Sequence, residues 1–139
     1  MSWTKDYDLD HIGIAVNNLD EGRVFYDALG LSDMKIENVE NEKVKVGFIT
    51  LKNGSRIELL EPTSPDSPVA KFLAKRGPGI HHICLRVGNI RDVMNTLKSR
   101  GIRVLTDEPT KGAHNCLVAF VHPASAGGVL VELSEKLGS

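Results

Sequence analysis

Apolar and polar residues alternate over residues 11–16, where Ile12, Ile14 and Val16 interleave with His11, Gly13 and Ala15. A period of two is that of a half-buried strand. The pattern returns later as Ile83, Leu85 and Val87 interleaved with His82, Cys84 and Arg86. Behind each strand the spacing widens to that of a helix. Ile90, Val93, Met94 and Leu97 form one apolar stripe; Leu19, Phe25, Tyr26 and Leu29 are expected to do the same job in the other place. Asn89 is the predicted N-cap of the later helix and Gly101 its closing residue, as Gly30 closes the earlier one.

The two stretches are copies. His11 recurs as His82, 71 positions on (82 − 11), and the same offset carries Ile12 to Ile83, Val16 to Val87, Asn18 to Asn89 and Gly30 to Gly101. A repeat of this size is a structural module. After its helix, each copy continues in strand-like runs. "EKVKVGFITL" and "SRIELLEP" flank Asn53-Gly54, a hairpin signal, and "CLVAFVHP" and "GVLVELSE" flank "ASAGG". Each copy therefore reads as strand, helix and about three strands. A short helix, "SPVAKFLAKR", joins them, with Pro68 suited to its first turn. The expected boundaries are 8–62 for the first βαβββ module, 63–78 for the linker helix and 79–135 for the second module.

Composition narrows the function classes. At 139 residues the chain is expected to be one compact domain or two small modules. A net charge of −1 offers no electrostatic reason for nucleic acid or an anionic membrane as partner. No apolar run is long enough to span a bilayer, and the polar start "MSWTKDYDLDH" is no secretory signal. Cys84 and Cys116 lie far apart and outside any CxxC, which fits free thiols in a reducing cytoplasm.

The chemistry sits at matching places in the repeat. Each copy has a histidine on its first strand, His11 or His82, and an acid between aliphatics on its last, Glu58 or Glu132. Packed together, the copies would supply two imidazoles and two carboxylates. That set suits one divalent transition metal such as Co²⁺, Ni²⁺, Zn²⁺ or Mn²⁺ and leaves coordination positions open for a substrate. His81 has Asp10, not a histidine, as its counterpart, and is read as a supporting residue.

These residues and motifs resemble the vicinal oxygen chelate superfamily, which includes glyoxalase I, extradiol dioxygenases and bleomycin resistance proteins. Within it, "DHIGIAV", "IELLEP", "DSPVAKFLAKRGPGIHHICLRV", "KGAH" and "GGVLVEL" are similar in order and spacing to the methylmalonyl-CoA epimerases. The resemblance implies a single α+β domain over 1–139, in which two paired βαβββ modules form a curved mixed sheet around a metal-containing cleft. It implies His11, Glu58, His82 and Glu132 as metal ligands, with Co²⁺ first among the candidate ions, and Glu132 as a catalytic acid/base. The implied substrate is an acyl-CoA, inverted at C2 through a metal-stabilised enolate. A cytoplasmic homodimer is expected. The rival readings are a glyoxalase I-type isomerase and a non-catalytic resistance-type binding protein.

Some epimerases carry a second acid on a strand of the first module, whereas "VKVGFIT" offers Lys45, Gly47 and Thr50, so the second proton carrier stays open. Glu61 shares the face of Leu59 and is expected to be structural. So is His122, before Pro123. "KGAHN", Lys111 to Asn115, reads either as a substrate loop or as a polar turn. Lys71, Lys75 and Arg76 read as CoA contacts or a solvated helix face. Arg86 shares the face of His82 and needs an acidic partner, from substrate or protein.

Overall fold

The computed structural model describes residues 7–138. Residues 1–6, most of the polar stretch read as no secretory signal, and residue 139 lie outside the described residues, as do the outer ends of the expected 1–139 domain. The elements are β1 (Asp8–Ala15), α1 (Leu19–Gly22), α2 (Val24–Ala28), β2 (Lys35–Val39), β3 (Val44–Thr50), β4 (Arg56–Pro62), α3 (Pro68–Arg76), β5 (Gly79–Arg86), α4 (Ile90–Ser99), β6 (Thr110–Gly112), β7 (Cys116–Val121) and β8 (Leu130–Lys136). The class is α+β, built of two βαβββ modules, as the repeat predicts. No helix of the described residues is long and apolar enough to cross a membrane. The described residues divide into two compact units: 11–81, and 82–138 with 7–10.

In the first unit the strand order is β2-β3-β4-β1, with β1 and β4 parallel and the other pairs antiparallel. Alternation along the strands divides the sheet between two apolar clusters. Ile14, Val16, Ile49, Ile57 and Leu59 pack with Leu19 and Tyr26 of α1 and α2. Ala15, Val44, Val46, Phe48 and Leu60 pack with Val69, Phe72 and Leu73 of α3. Ser67 caps α3, accepting from the Val69 N–H, and Pro68 occupies its first turn. The β3–β4 hairpin closes around Asn53-Gly54. Three residues, 52–54, make the loop, and Gly54 takes the left-handed φ of +92° that such a loop demands.

The first-unit helix departs from expectation. It is two short pieces, α1 and α2, meeting at Arg23. Leu19 is buried and Tyr26 packs on the core, but Phe25 is 63% and Leu29 60% exposed, so neither joins the apolar stripe. Gly22 explains the break. A Cβ there would meet a Val16 methyl at 2.7 Å, so the close approach to β1 requires glycine, which is a poor helix former.

In the second unit the order is β5-β8-β7-β6, with β5 and β8 parallel. Its α4 runs unbroken for 10 residues, with Asn89 accepting from the Asp92 N–H at its start and Gly101, at φ +79°, just past its end. Ile90, Val93, Met94 and Leu97 pack on Leu85, Val87, Ala119, Val121 and Leu133. The opposite face of this sheet carries His82, Cys84, Arg86, Phe120, Glu132 and Ser134, by alternation from those core positions.

Candidate functional site

Strand register brings each histidine to its acid. In the first unit β1 runs parallel to β4, with His11 beside Arg56 and Gly13 beside Glu58. In the second, β5 runs parallel to β8, with His82 beside Leu130 and Cys84 beside Glu132. Each glutamate thus lies next to a small residue two positions beyond its histidine, which leaves the imidazole space to lean across. Each glutamate also has a phenylalanine directly across the antiparallel partner, Phe48 for Glu58 and Phe120 for Glu132.

The pairs share a contact distance but use different ring nitrogens. His11 Nδ1 lies 3.2 Å from Glu58 Oε2, with side chains 8% and 9% exposed. His82 Nε2 lies 3.2 Å from Glu132 Oε1, at 9% and 13% exposure. Imidazole nitrogens and carboxylate oxygens, mostly withdrawn from water and in mutual contact, are a donor set of the kind that divalent transition metals take. His11 and Glu58 in one unit, and His82 and Glu132 in the other, are therefore candidate ligands. Among the described residues no buried side-chain nitrogen or oxygen lacks a hydrogen-bond partner.

The surroundings of the pairs differ. Arg56 donates to Glu58 Oε2 from Nε at 3.0 Å and from Nη2 at 2.9 Å. The same Nη2 is 3.4 Å from His11 Nδ1, and the guanidinium carbon is 6.0 Å from the centre of the Phe48 ring. In the second unit Phe120 meets His82 edge-on, with ring centres 6.4 Å apart. Arg56 is not among the residues the repeat singles out, yet residues two apart on a strand share a face, so Arg56 accompanies Glu58.

Other candidates find structural partners. Glu61 accepts from the Leu19 N–H at 2.8 Å, at the start of α1, and lies 3.8 Å from Lys45. Glu135, unnoticed in the sequence, does the same for Ile90 at the start of α4, also at 2.8 Å. Each last strand therefore carries two acids three residues apart, one beside the histidine and one at a helix N-terminus, where negative charge is stabilising. Arg86 donates from Nε to Asp10 at 3.2 Å, so a protein acid answers its charge. His81 packs edge-on against Phe72 at 5.2 Å, and Arg76 lies over the same ring at 5.8 Å. Lys71 and Lys75 are exposed. His122 Nδ1 accepts from the Ala124 N–H, fixing the turn after β7.

On β3, Lys45 and Gly47 alternate with the buried Val44, Val46 and Phe48, and Met34 packs against Gly47. Both therefore lie on the side that α1 and α2 cover, with Ile49 and Met34. Thr50, directly opposite Arg56, is the member of that trio on the side of the histidine–acid pair. In "KGAHN", Asn115 is held at φ +55° by bonds in both directions with Leu137, a structural task, whereas Lys111 and His114 are exposed.

Residues 10–120 match the family described as the Glyoxalase/Bleomycin resistance protein/Dioxygenase superfamily. The ethylmalonyl-CoA/methylmalonyl-CoA epimerase of Cereibacter sphaeroides is 42% identical, with 91% of this chain and 96% of that protein covered. The crystal structure of methylmalonyl-CoA epimerase from Mycobacterium tuberculosis superposes with a TM-score of 0.86 at 36% identity, covering 94% of this chain and 88% of that one. A Streptomyces coelicolor methylmalonyl-CoA epimerase in complex with 2-nitronate-propionyl-CoA gives a TM-score of 0.84 at 37% identity, covering 94% and 97%. The chain belongs to the glyoxalase/bleomycin resistance protein/dioxygenase superfamily and, within it, to the methylmalonyl-CoA epimerases.

Proposed function

We propose that this chain inverts C2 of methylmalonyl-CoA, with His11, Glu58, His82 and Glu132 holding one divalent cation, Co²⁺ first among the candidates. The observation that carries the reading is the recurrence, at the same strand register, of a histidine–glutamate contact of 3.2 Å largely withdrawn from water, made through Nδ1 in the first unit and Nε2 in the second. The solved relatives bound to acyl-CoA analogues supply the substrate class.

The C2 hydrogen lies between a thioester and a carboxylate. Glu132 takes this proton; the C–H electron pair moves into the thioester, giving its enolate. A second proton carrier, on the face opposite Glu132, gives a proton to C2 as the enolate electrons return to it, and this inverts the centre. When bound, a divalent cation supplies positive charge that favours build-up of negative charge on oxygen. His11 and His82 hold their positions through the paired acids, and Phe48 and Phe120 limit water beside those acids.

The cytoplasm as compartment and a homodimer as assembly belong to the same proposal. The first rests on Cys84 and Cys116, which are not joined in a disulfide. The second rests on the exposed apolar Val24, Phe25 and Leu29. Proton NMR of methylmalonyl-CoA in D₂O tests the function: exchange at C2 that requires added cation is expected. Turnover of the methylglyoxal–glutathione adduct without C2 exchange would contradict it.

A further inference from the structure

Arg56 breaks the equivalence of the two histidine–acid pairs. Register places Arg56 beside His11 and Leu130 beside His82, so a cation and an alkyl group occupy matching positions. The arginine is held from three sides. Two N–H groups donate to one oxygen of Glu58, Nη2 reaches toward His11, and Phe48 lies under the guanidinium. Its side chain is only 17% exposed, so water screens it weakly. An arginine committed in this way is not a mobile surface charge.

We propose that Arg56 is a positioning residue that offsets the charge of Glu58 and commits its Oε2 atom, thereby weakening the grip of the first unit on a divalent cation. The proposal rests on the reading of His11, Glu58, His82 and Glu132 as the ligand set. Its chemical sense is direct. A ligand oxygen whose negative charge is partly answered by a guanidinium donates less to a cation. The cation then keeps more of its power to draw electron density from the substrate. Glu58 remains confined without Arg56, because Gly13 and Phe48 flank it on both neighbouring strands. Loss of the positive charge therefore outweighs loss of orientation.

The test is Co²⁺ titration of the metal-free protein without substrate, followed by calorimetry and by the visible absorption of the ion. Arg56→Leu, which copies Leu130, is expected to bind Co²⁺ roughly tenfold more tightly than the parent chain, as expected for removing a charge a few ångströms from the ion. Arg56→Met preserves more of the side-chain length and gives the same result if the leucine variant folds poorly. Arg56→Lys keeps the charge and stays within about threefold of the parent, which a packing role would not predict. At saturating Co²⁺ the neutral variants exchange the C2 proton more slowly despite tighter binding. Unchanged or weaker Co²⁺ binding in both neutral variants overturns the role of Arg56. A parent chain that takes up no Co²⁺ overturns the ligand set itself, a separate and distinguishable failure.

Discussion

The two units share a plan and differ at two places. Both present a histidine–glutamate contact of 3.2 Å, both place a phenylalanine opposite the acid, and both use a second glutamate to hold a helix N-terminus. They differ in the helix and in the residue beside the histidine. Ile90, Val93, Met94 and Leu97 in α4 correspond, at the offset of 71, to Leu19, Gly22, Arg23 and Tyr26. The second unit thus keeps a full apolar stripe, while the first has lost its middle. There Arg23 turns outward, bonding Asp27 and the Ser32 carbonyl, and the helix breaks. The lesson is that strand register tolerates little change, because one slip reverses every side chain, whereas the covering helix and the charge near the pair can diverge.

The largest expected effect concerns the shared part of the plan. Glu132→Gln should slow C2 proton exchange by about 10²–10⁴-fold, the range for loss of an acid/base group, and His82→Ala should be at least as damaging. His81→Ala should retain activity, because His81 packs on Phe72. Equal losses in the two histidine variants, by NMR exchange assay, would erase the distinction between these neighbours.

The helix difference predicts the next effect. Met94 is 2% exposed within the second-unit core, so Met94→Ala should cost about 2–5 kcal/mol in urea unfolding. Arg23→Ala, at the matching place, removes a part-exposed ion pair with Asp27 and a hydrogen bond to the Ser32 carbonyl and should cost about 1 kcal/mol. Similar costs would mean that the units' helices do not differ in burial as described.

Much of this was legible because it obeys periodicity. The first and last two strands of each unit follow from alternation, α3 and α4 from helical spacing and their starting residues, and the matching histidines from the offset of 71. The acids recur at 74 (132 − 58), on the last strand of each copy, while β2 and β6, short and polar, carry no such signal. The broken first helix was not legible. Phe25 and Leu29 satisfy a helical pattern, and only the contact between Gly22 and Val16, which is tertiary, shows why the helix stops. Glu135 was hidden for a similar reason: an acid near the end of a strand reads as solvent-facing until the helix start above it is placed.

Smaller effects probe the likeness. Glu61→Gln and Glu135→Gln should each lower stability by about 0.3–1 kcal/mol, and by similar amounts, since each serves one helix N-terminus. The smallest concerns Asp66, which the Lys43 and Ser64 side chains hold down to about 2 from 3.8. Because its folded pKa is depressed, its contribution is present above about pH 4 and fades as pH falls through about 2. The gap in unfolding free energy between the parent chain and Asp66→Asn should therefore narrow on acidification. A gap that widens would contradict that sign.

The most direct measurement of the central claim is the number of Co²⁺ ions bound per chain, taken for the parent protein and for His11→Ala and His82→Ala. One ion per chain, with either substitution removing it entirely or nearly so, is the predicted result. Two ions per chain, with each substitution removing one and sparing the other, would mean that each histidine–glutamate pair works alone, and the account would fail.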